Sequence, residues 1–322
     1  MKRHIFTARA ERALTLVIAA LTLAALLAGC GAGAGANGGK DVSGRKIKAL
    51  ATVGMVEDVV RQVGGDRVEV EALMGPGVDP HLFKPSEGDV ARINRADIVF
   101  YVGLNLEGKM GDILERSKQT RPVIAVAETI PTDRLLKPEA FEGAYDPHVW
   151  MDVSLWMETV KQVQSGLAQL DPGSADAYAQ RADAYLKELA QLDQYIKDEI
   201  GKVPPESRVL VTAHDAFNYF GRAYGMDVVG LQGISTETEA GVGDVQQLAT
   251  LIAERKIKAI FVESSVPRRN IEAVQAAARS RGHTVTIGGE LFSDAMGEAG
   301  TPEGTYVGMI RHNVTTIVAG LR

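Results

Sequence analysis

Beyond the first forty-five residues, short β-branched and aliphatic runs alternate with stretches whose apolar positions recur every three or four residues. Residues 46–52 read as a strand, 55–63 as a helix ended by Gly64-Gly65, and 67–73 as a second strand. Residues 86–95 follow as a helix with Ser86 placed to cap it, then 97–102 and 123–126 as two more strands. After Pro204-Pro205 a second series begins, with strands at 208–212, 226–231, 258–262 and 284–287. Its helices fall at 216–224, 242–255, 268–281 and 304–321. Strands alternating with helical patterns predict parallel sheets joined by crossover helices, one small α/β lobe in each half.

Between the halves, residues 174–200 contain neither Gly nor Pro. Tyr178, Ala182, Tyr185, Leu189, Leu192, Ile196 and Ile200 are spaced three or four apart, and Asp171-Pro172-Gly173 and Gly201 bracket the run. At about 1.5 Å per residue such a helix spans roughly 40 Å, enough to run the height of both lobes as a rigid connector. An ordinary surface helix of one large domain would show the same pattern. The expected division is 46–172 for the N-terminal lobe, 173–203 for the linking helix and 204–322 for the C-terminal lobe.

The N-terminus has a different character. Lys2, Arg3, Arg9 and Arg12 precede an apolar run from Ala13 to Leu27. That run is short for a helix meant to cross about 30 Å of hydrocarbon, and it reads as a secretory signal peptide over 1–29. An uncleaved anchor is the alternative. Cys30 is the single cysteine, so no intramolecular disulfide can form. Leu27-Ala28-Gly29-Cys30 resembles the bacterial lipobox, whose cysteine receives lipid and becomes the new N-terminus; a chance cysteine is the bland reading. The stretch 30–45, rich in Gly and Ala, would then be a flexible tether to the membrane surface.

Composition narrows the function. With 322 residues and 45% hydrophobic content the chain can bury one large core or two medium ones. Charged residues at 24% are ordinary for a globular protein. The formal charge of −6 argues against a nucleic-acid partner. Loss of residues 1–29 removes four basic residues and one acidic residue, leaving −9.

Six histidines concentrate the candidate chemistry. His81 and His148 each end an Asp-Pro-His tripeptide, in a loop with a helix following. Proline before histidine removes a backbone donor and fixes the local φ, which helps aim an imidazole. His214 sits where a strand gives way to a helix, at the strand ends where open α/β sheets bind ligands. Asp294 lies in the loop after strand 284–287. Three imidazoles and a carboxylate suit zinc and tolerate manganese. No two of these residues lie within 60 positions of one another, and each also fits a capping or hydrogen-bonding loop residue. His283 and His312 read as ordinary polar residues.

Taken in order, Asp79-Pro80-His81-Leu82-Phe83-Lys84-Pro85, Asp146-Pro147-His148-Val149-Trp150-Met151-Asp152 and Val211-Thr212-Ala213-His214-Asp215-Ala216-Phe217 are distinctive. With Gly233-Ile234-Ser235-Thr236-Glu237, Phe261-Val262-Glu263-Ser264-Ser265 and Leu291-Phe292-Ser293-Asp294-Ala295, they resemble the solute-binding lipoproteins of zinc and manganese ABC importers. The likeness, to the TroA-type or cluster A-I family, covers the chain from about Lys46. It implies two Rossmann-like lobes with parallel sheets joined by one long rigid helix, and one Zn2+ or Mn2+ in the cleft as transported ligand. The ligands it implies are His81 and His148 from the N-terminal lobe and His214 and Asp294 from the C-terminal lobe. Its partner would be a membrane permease of the ABC type, and the protein a monomer.

Two departures place the chain between subclasses. Manganese-specific members usually carry glutamate at the His214 position. High-affinity zinc members often have a His-rich acidic insertion before the second ligand, and residues 122–146 contain no histidine. Glu263 ends a strand and would either orient a ligand imidazole or cap the following helix. Glu237 and Glu239 read as exposed loop acids within reach of a permease. A zinc hydrolase is the rival class, but HExxH and Gly-x-Ser-x-Gly are both absent. Adhesion, described for relatives, is a further alternative without a sequence feature of its own.

Overall fold

The computed structural model describes residues 41–141 and 143–322. Residues 1–29, Cys30 and the tether as far as Lys40 lie outside them. Asp41–Arg45, placed in the tether from sequence, lie against the folded body. Val42 is buried, and the Arg45 guanidinium pairs with Asp97 at 2.6 Å. Among the described residues no helix is long and apolar enough to cross a membrane.

The first half carries β1 (Ile47–Ala51), α1 (Gly54–Gly64), β2 (Val68–Ala72), α2 (Glu87–Arg95), β3 (Ile98–Tyr101), α3 (Gly111–Ser117), β4 (Val123–Ala125) and α4 (Val153–Leu170). Its four strands are all parallel, in the order β2-β1-β3-β4. The chain therefore reverses direction across the sheet between β1 and β3, the switch point where such sheets open a crevice. Ser86 caps α2 in a reciprocal box with Asp89. Gly65 ends α1 at φ +55°, and a Cβ there would meet the Arg181 side chain at 2.9 Å. Arg181 uses that space to donate to the carbonyls of Val63 and Gly64, which the helix leaves unpaired.

The linking helix, α5 (Ala175–Ile200), buries the seven apolar positions read from sequence and is about 39 Å long. The second half follows with β5 (Val209–His214), α6 (Asn218–Tyr224), β6 (Asp227–Gln232), α7 (Val242–Glu254), β7 (Ala259–Glu263), α8 (Arg269–Ser280), β8 (Thr286–Leu291) and α9 (Tyr306–Leu321). β5 pairs with β6 and β7 with β8, all parallel, and the two pairs adjoin along β5 and β7. β5 and β7 are buried throughout, as strands covered on both faces must be. Ala259 and Phe261 enter one apolar cluster while Ile260 and Val262 enter another, the alternation a pleated strand imposes. α7 and α8 cover the outer face. α5, α6 and α9 line the inner one, where the same cluster continues into β1, β3, α1 and α4.

Strand β8 runs further than the sequence pattern indicates. The Gly288-Gly289 pair suggests a loop from 288 onward, yet the ladder continues to Leu291 with an irregularity opposite Ile260 and Phe261. A Cβ at Gly288 would meet the Phe261 ring at 2.7 Å, and Gly289 takes φ +144°. The glycines mark close approach and a bulge inside a strand, and do not end it.

Candidate metal centre

Three of the sequence-predicted ligands lie at or soon after the C-terminal end of a strand, and His148 lies in the long connection after β4. His81 follows β2, His148 follows β4 just before the 3-10 turn Val149–Met151, His214 is the last residue of β5, and Asp294 follows β8. The parallel topology brings these ends together, and the fold joins residues that are 66 or more positions apart. One ligand atom from each of the four lies within 4.8 Å of every other. His283 and His312 stand apart, bonded to the backbone oxygens of Ile257 and Glu290.

The spacing inside the cluster is that of donors around a shared centre. His81 Nε2 and His148 Nε2 are 3.3 Å apart. Asp294 Oδ1 lies 3.3 Å from His148 Nε2, and Oδ2 lies 3.2 Å from His214 Nε2 and 3.6 Å from His81 Nε2. Tetrahedral nitrogen ligands about 2.05 Å from zinc stand about 3.3 Å from one another. All four side chains are at most 3% exposed. Despite these short distances, His214 Nε2 and both Asp294 oxygens make no aligned hydrogen bond. They point at a common space rather than at each other, and buried polar atoms left this way are costly unless a ligand satisfies them. Both carboxylate oxygens of Asp294 face that space, so five donor atoms are available.

Carboxylates hold two of the rings from behind. Glu263, at the end of β7, accepts from His214 Nδ1 at 2.6 Å and from the His214 backbone N–H at 2.9 Å. Helix α8 has no side-chain cap, so Glu263 does not serve it. Asp146 accepts from His148 Nδ1 at 2.8 Å and from its backbone N–H at 2.9 Å. A proton fixed on Nδ1 leaves the Nε2 lone pair facing the centre. Trp150 packs against the His148 ring and donates its Nε1–H to Ser293 O, beside Asp294. Asn313 of α9 bonds both backbone groups of Phe292 and fixes the approach to Asp294.

The same charges set the protonation of the metal-free cluster. Burial drives the His81 imidazole down to about 3, with the neighbouring rings adding to the effect and Asp294 opposing it. At His148 burial also opposes the charge, but Asp146 and Asp294 outweigh it and push the value up to about 9. His214 is raised in the same way, where Glu263 and Asp294 overcome burial. Asp294 is held well below the carboxylate range because the His214 and His148 charges overcome its burial. Protons on two rings thus stand in for the charge of a cation.

Sequence reading saw Asp146, Trp150 and Thr236 only as parts of motifs, and missed Asn218 and Asn313. Asp146 was legible in principle, since an Asp two residues before a His accepts its backbone N–H in a local turn. The others carry no local signal. Asn218 Nδ2 reaches Asp146 Oδ2 at 3.3 Å, and Thr236 Oγ1 reaches Asp79 Oδ2 at 2.5 Å, both across the gap between the halves.

Known proteins resemble this chain over nearly the whole folded body. Residues 50–320 match the family model described as zinc-uptake complex component A, periplasmic. The zinc-binding protein TroA of Treponema pallidum is 51% identical over 285 residues, covering 88% of this chain and 92% of that one. The manganese-binding lipoprotein MntA of Bacillus subtilis is 47% identical over 307 residues, with 95% and 99% covered. The solved structure of the T. pallidum periplasmic zinc-binding protein superposes with a TM-score of 0.84 at 52% identity, over 86% of this chain and 99% of that one. The buried three-histidine, one-aspartate cluster at the strand ends therefore sits in a chain that belongs to the ZnuA family of periplasmic zinc-uptake components.

Proposed function

We propose that this protein captures one divalent transition-metal ion, Zn2+ or Mn2+, outside the cytoplasm and delivers it to an ABC-type importer. The observation that carries the reading is the convergence of His81, His148, His214 and Asp294 in a buried pocket with the spacing of a coordination sphere. Those four side chains would hold the ion, and Glu263 and Asp146 would orient His214 and His148. Three neutral imidazoles and one carboxylate leave a single negative charge on the donors, and Glu263 and Asp146 behind them add two more, which together outweigh the charge of a divalent cation by one. The lobes would span 46–172 and 204–322 with 173–203 between them, so that each lobe supplies two donors. Four protein donors leave no position for the water that a zinc hydrolase needs.

Relatives named for different metals, zinc for TroA and manganese for MntA, match the chain almost equally well. Nitrogen donors reward metals high in the Irving–Williams order, so the isolated protein should prefer zinc whichever ion the cell supplies. Lipidation at Cys30 would keep the monomeric carrier at the membrane beside its permease. Elemental analysis of purified protein, with competitive titration of zinc against manganese, tests the reading. One ion per chain is expected, lost in His214→Ala; a variant that binds zinc as tightly as the parent would show that the assigned sphere is wrong. Cys30→Ser should release the protein from membranes, and unchanged retention with unchanged processed mass refutes the anchor.

A further inference from the structure

The two Asp-Pro-His loops share a tripeptide but not a hydrogen-bond pattern. In the second, Asp146 Oδ1 accepts from both the His148 backbone N–H and its Nδ1, so the ring is oriented from within its own loop. In the first, Asp79 Oδ1 accepts only the His81 backbone N–H, at 2.9 Å. No carboxylate meets the His81 Nδ1 among the described residues. The other oxygen of Asp79 instead takes the hydroxyl proton of Thr236, at 2.5 Å, from the loop after β6 in the opposite half. Thr236 is 5% exposed and Asp79 half-buried, so this bond is partly shielded from water.

Its neighbour Glu237 makes a second crossing to Lys109 at 2.5 Å. Lys109 stands on a firm base, because Glu107, two residues before it, is buried and accepts from Thr52 Oγ1 and the backbone N–H groups of Val102 and Gly103. The Lys109–Glu237 pair is itself exposed on both sides and holds little. The Thr236–Asp79 bond is partly buried and charge-assisted, the stronger kind. The crossing from Asn218 to Asp146 differs again: it comes from α6, which packs on the linking helix.

We infer that Thr236 is a positioning residue for His81, and that its bond to Asp79 completes the metal sphere only when the two halves close. The inference rests on the metal-carrier reading. His148 and His214 keep their orientation from carboxylates that close on the rings directly, Asp146 in the His148 loop and Glu263 on the neighbouring strand. His81 depends on a hydroxyl from the far side of the cleft. Separation of the halves breaks that bond, frees the 79–81 turn and withdraws one donor. His81 is thereby the first ligand to leave, and the loop at 233–241 governs how fast the ion escapes.

The test is zinc release from loaded full-length protein into excess chelator, followed by stopped flow. Thr236→Val removes the hydroxyl at constant shape and should speed release about tenfold, the effect of one charge-assisted bond. Thr236→Ser restores the donor and should return the rate to within about twofold of the parent. In a His81→Ala background the same Thr236→Val change should leave the rate unaltered, because the ligand it positions is gone. A structural role alone would carry the tenfold effect into that background, and this result overturns the inference, as does a parental rate in Thr236→Val. If the valine variant folds poorly, Thr236→Ala carries the same comparison. A parent that takes up no zinc would overturn the carrier reading itself, before any variant is compared.

Discussion

Glu263→Gln isolates the part that one carboxylate plays behind a donor. Glu263 Oε2 sits 2.6 Å from His214 Nδ1, which places its charge roughly 6 Å from an ion held at Nε2 by a bond of about 2 Å. At an effective dielectric of about 20, attraction to a divalent cation at that range is about 5 kcal/mol. The same carboxylate attracts the proton that the metal must displace from His214, by about 4 kcal/mol at a charge separation of about 4 Å. The two nearly cancel, leaving about 1 kcal/mol. To this is added a lost charge-assisted hydrogen bond, worth about 1.5 kcal/mol or more, since a glutamine amide cannot accept from both His214 N–H groups. Zinc affinity at pH 7 should therefore fall between about 10-fold and 100-fold. The loss should grow as pH rises and the parental His214 gives up the competing proton. Isothermal titration with a competing chelator at pH 7 and pH 9 measures both. A loss under about threefold, or one that shrinks as pH rises, would refute the account.

The metal-free protein should bind zinc less tightly as pH falls, and the decline should begin near pH 9. His148 is raised to about 9 and His214 is raised too, so both bind protons more tightly than an ordinary imidazole, and metal must displace them. Release of up to two protons gives a slope of up to about 100-fold per pH unit, and a decline confined to pH below about 6.5 would contradict it. His214→Glu should lower the zinc-to-manganese affinity ratio, since it replaces a nitrogen with a hard oxygen; His283→Ala and His312→Ala should leave both affinities alone in the same titrations. Gly65→Ala should destabilise the fold by about 1–3 kcal/mol in chemical denaturation without altering metal stoichiometry, because φ +55° and the nearby Arg181 leave no room for a side chain.

The periodic parts of the fold were legible because burial writes itself into the sequence. The seven apolar positions of α5 and the capped start of α2 follow directly from spacing and side-chain type. α3 has only seven residues, too few to show a period, and β8 hides behind two glycines that its close packing requires. The four donors were read from motifs whose residues are far apart in the chain, and the parallel strand ends explain how they meet. The groups behind them were harder to find. Asp146 acts inside its own turn, whereas Asn218, Thr236 and Asn313 act on residues 72, 157 and 21 positions away. A long-range hydrogen bond leaves no periodic trace.

The inner apolar cluster passes from β1, β3 and α1 through α4 and α5 into α6, α9 and the inner faces of β5 and β7 without a break. Melting either half would strip water-excluding cover from the other, so neither can unfold alone at small cost. The metal-free body should consequently lose structure in one cooperative transition, with equal calorimetric and van't Hoff enthalpies. A chain cut after residue 172 or begun at residue 204 would lack α5 and expose a wide greasy surface, and such fragments should aggregate rather than persist as soluble half-molecules.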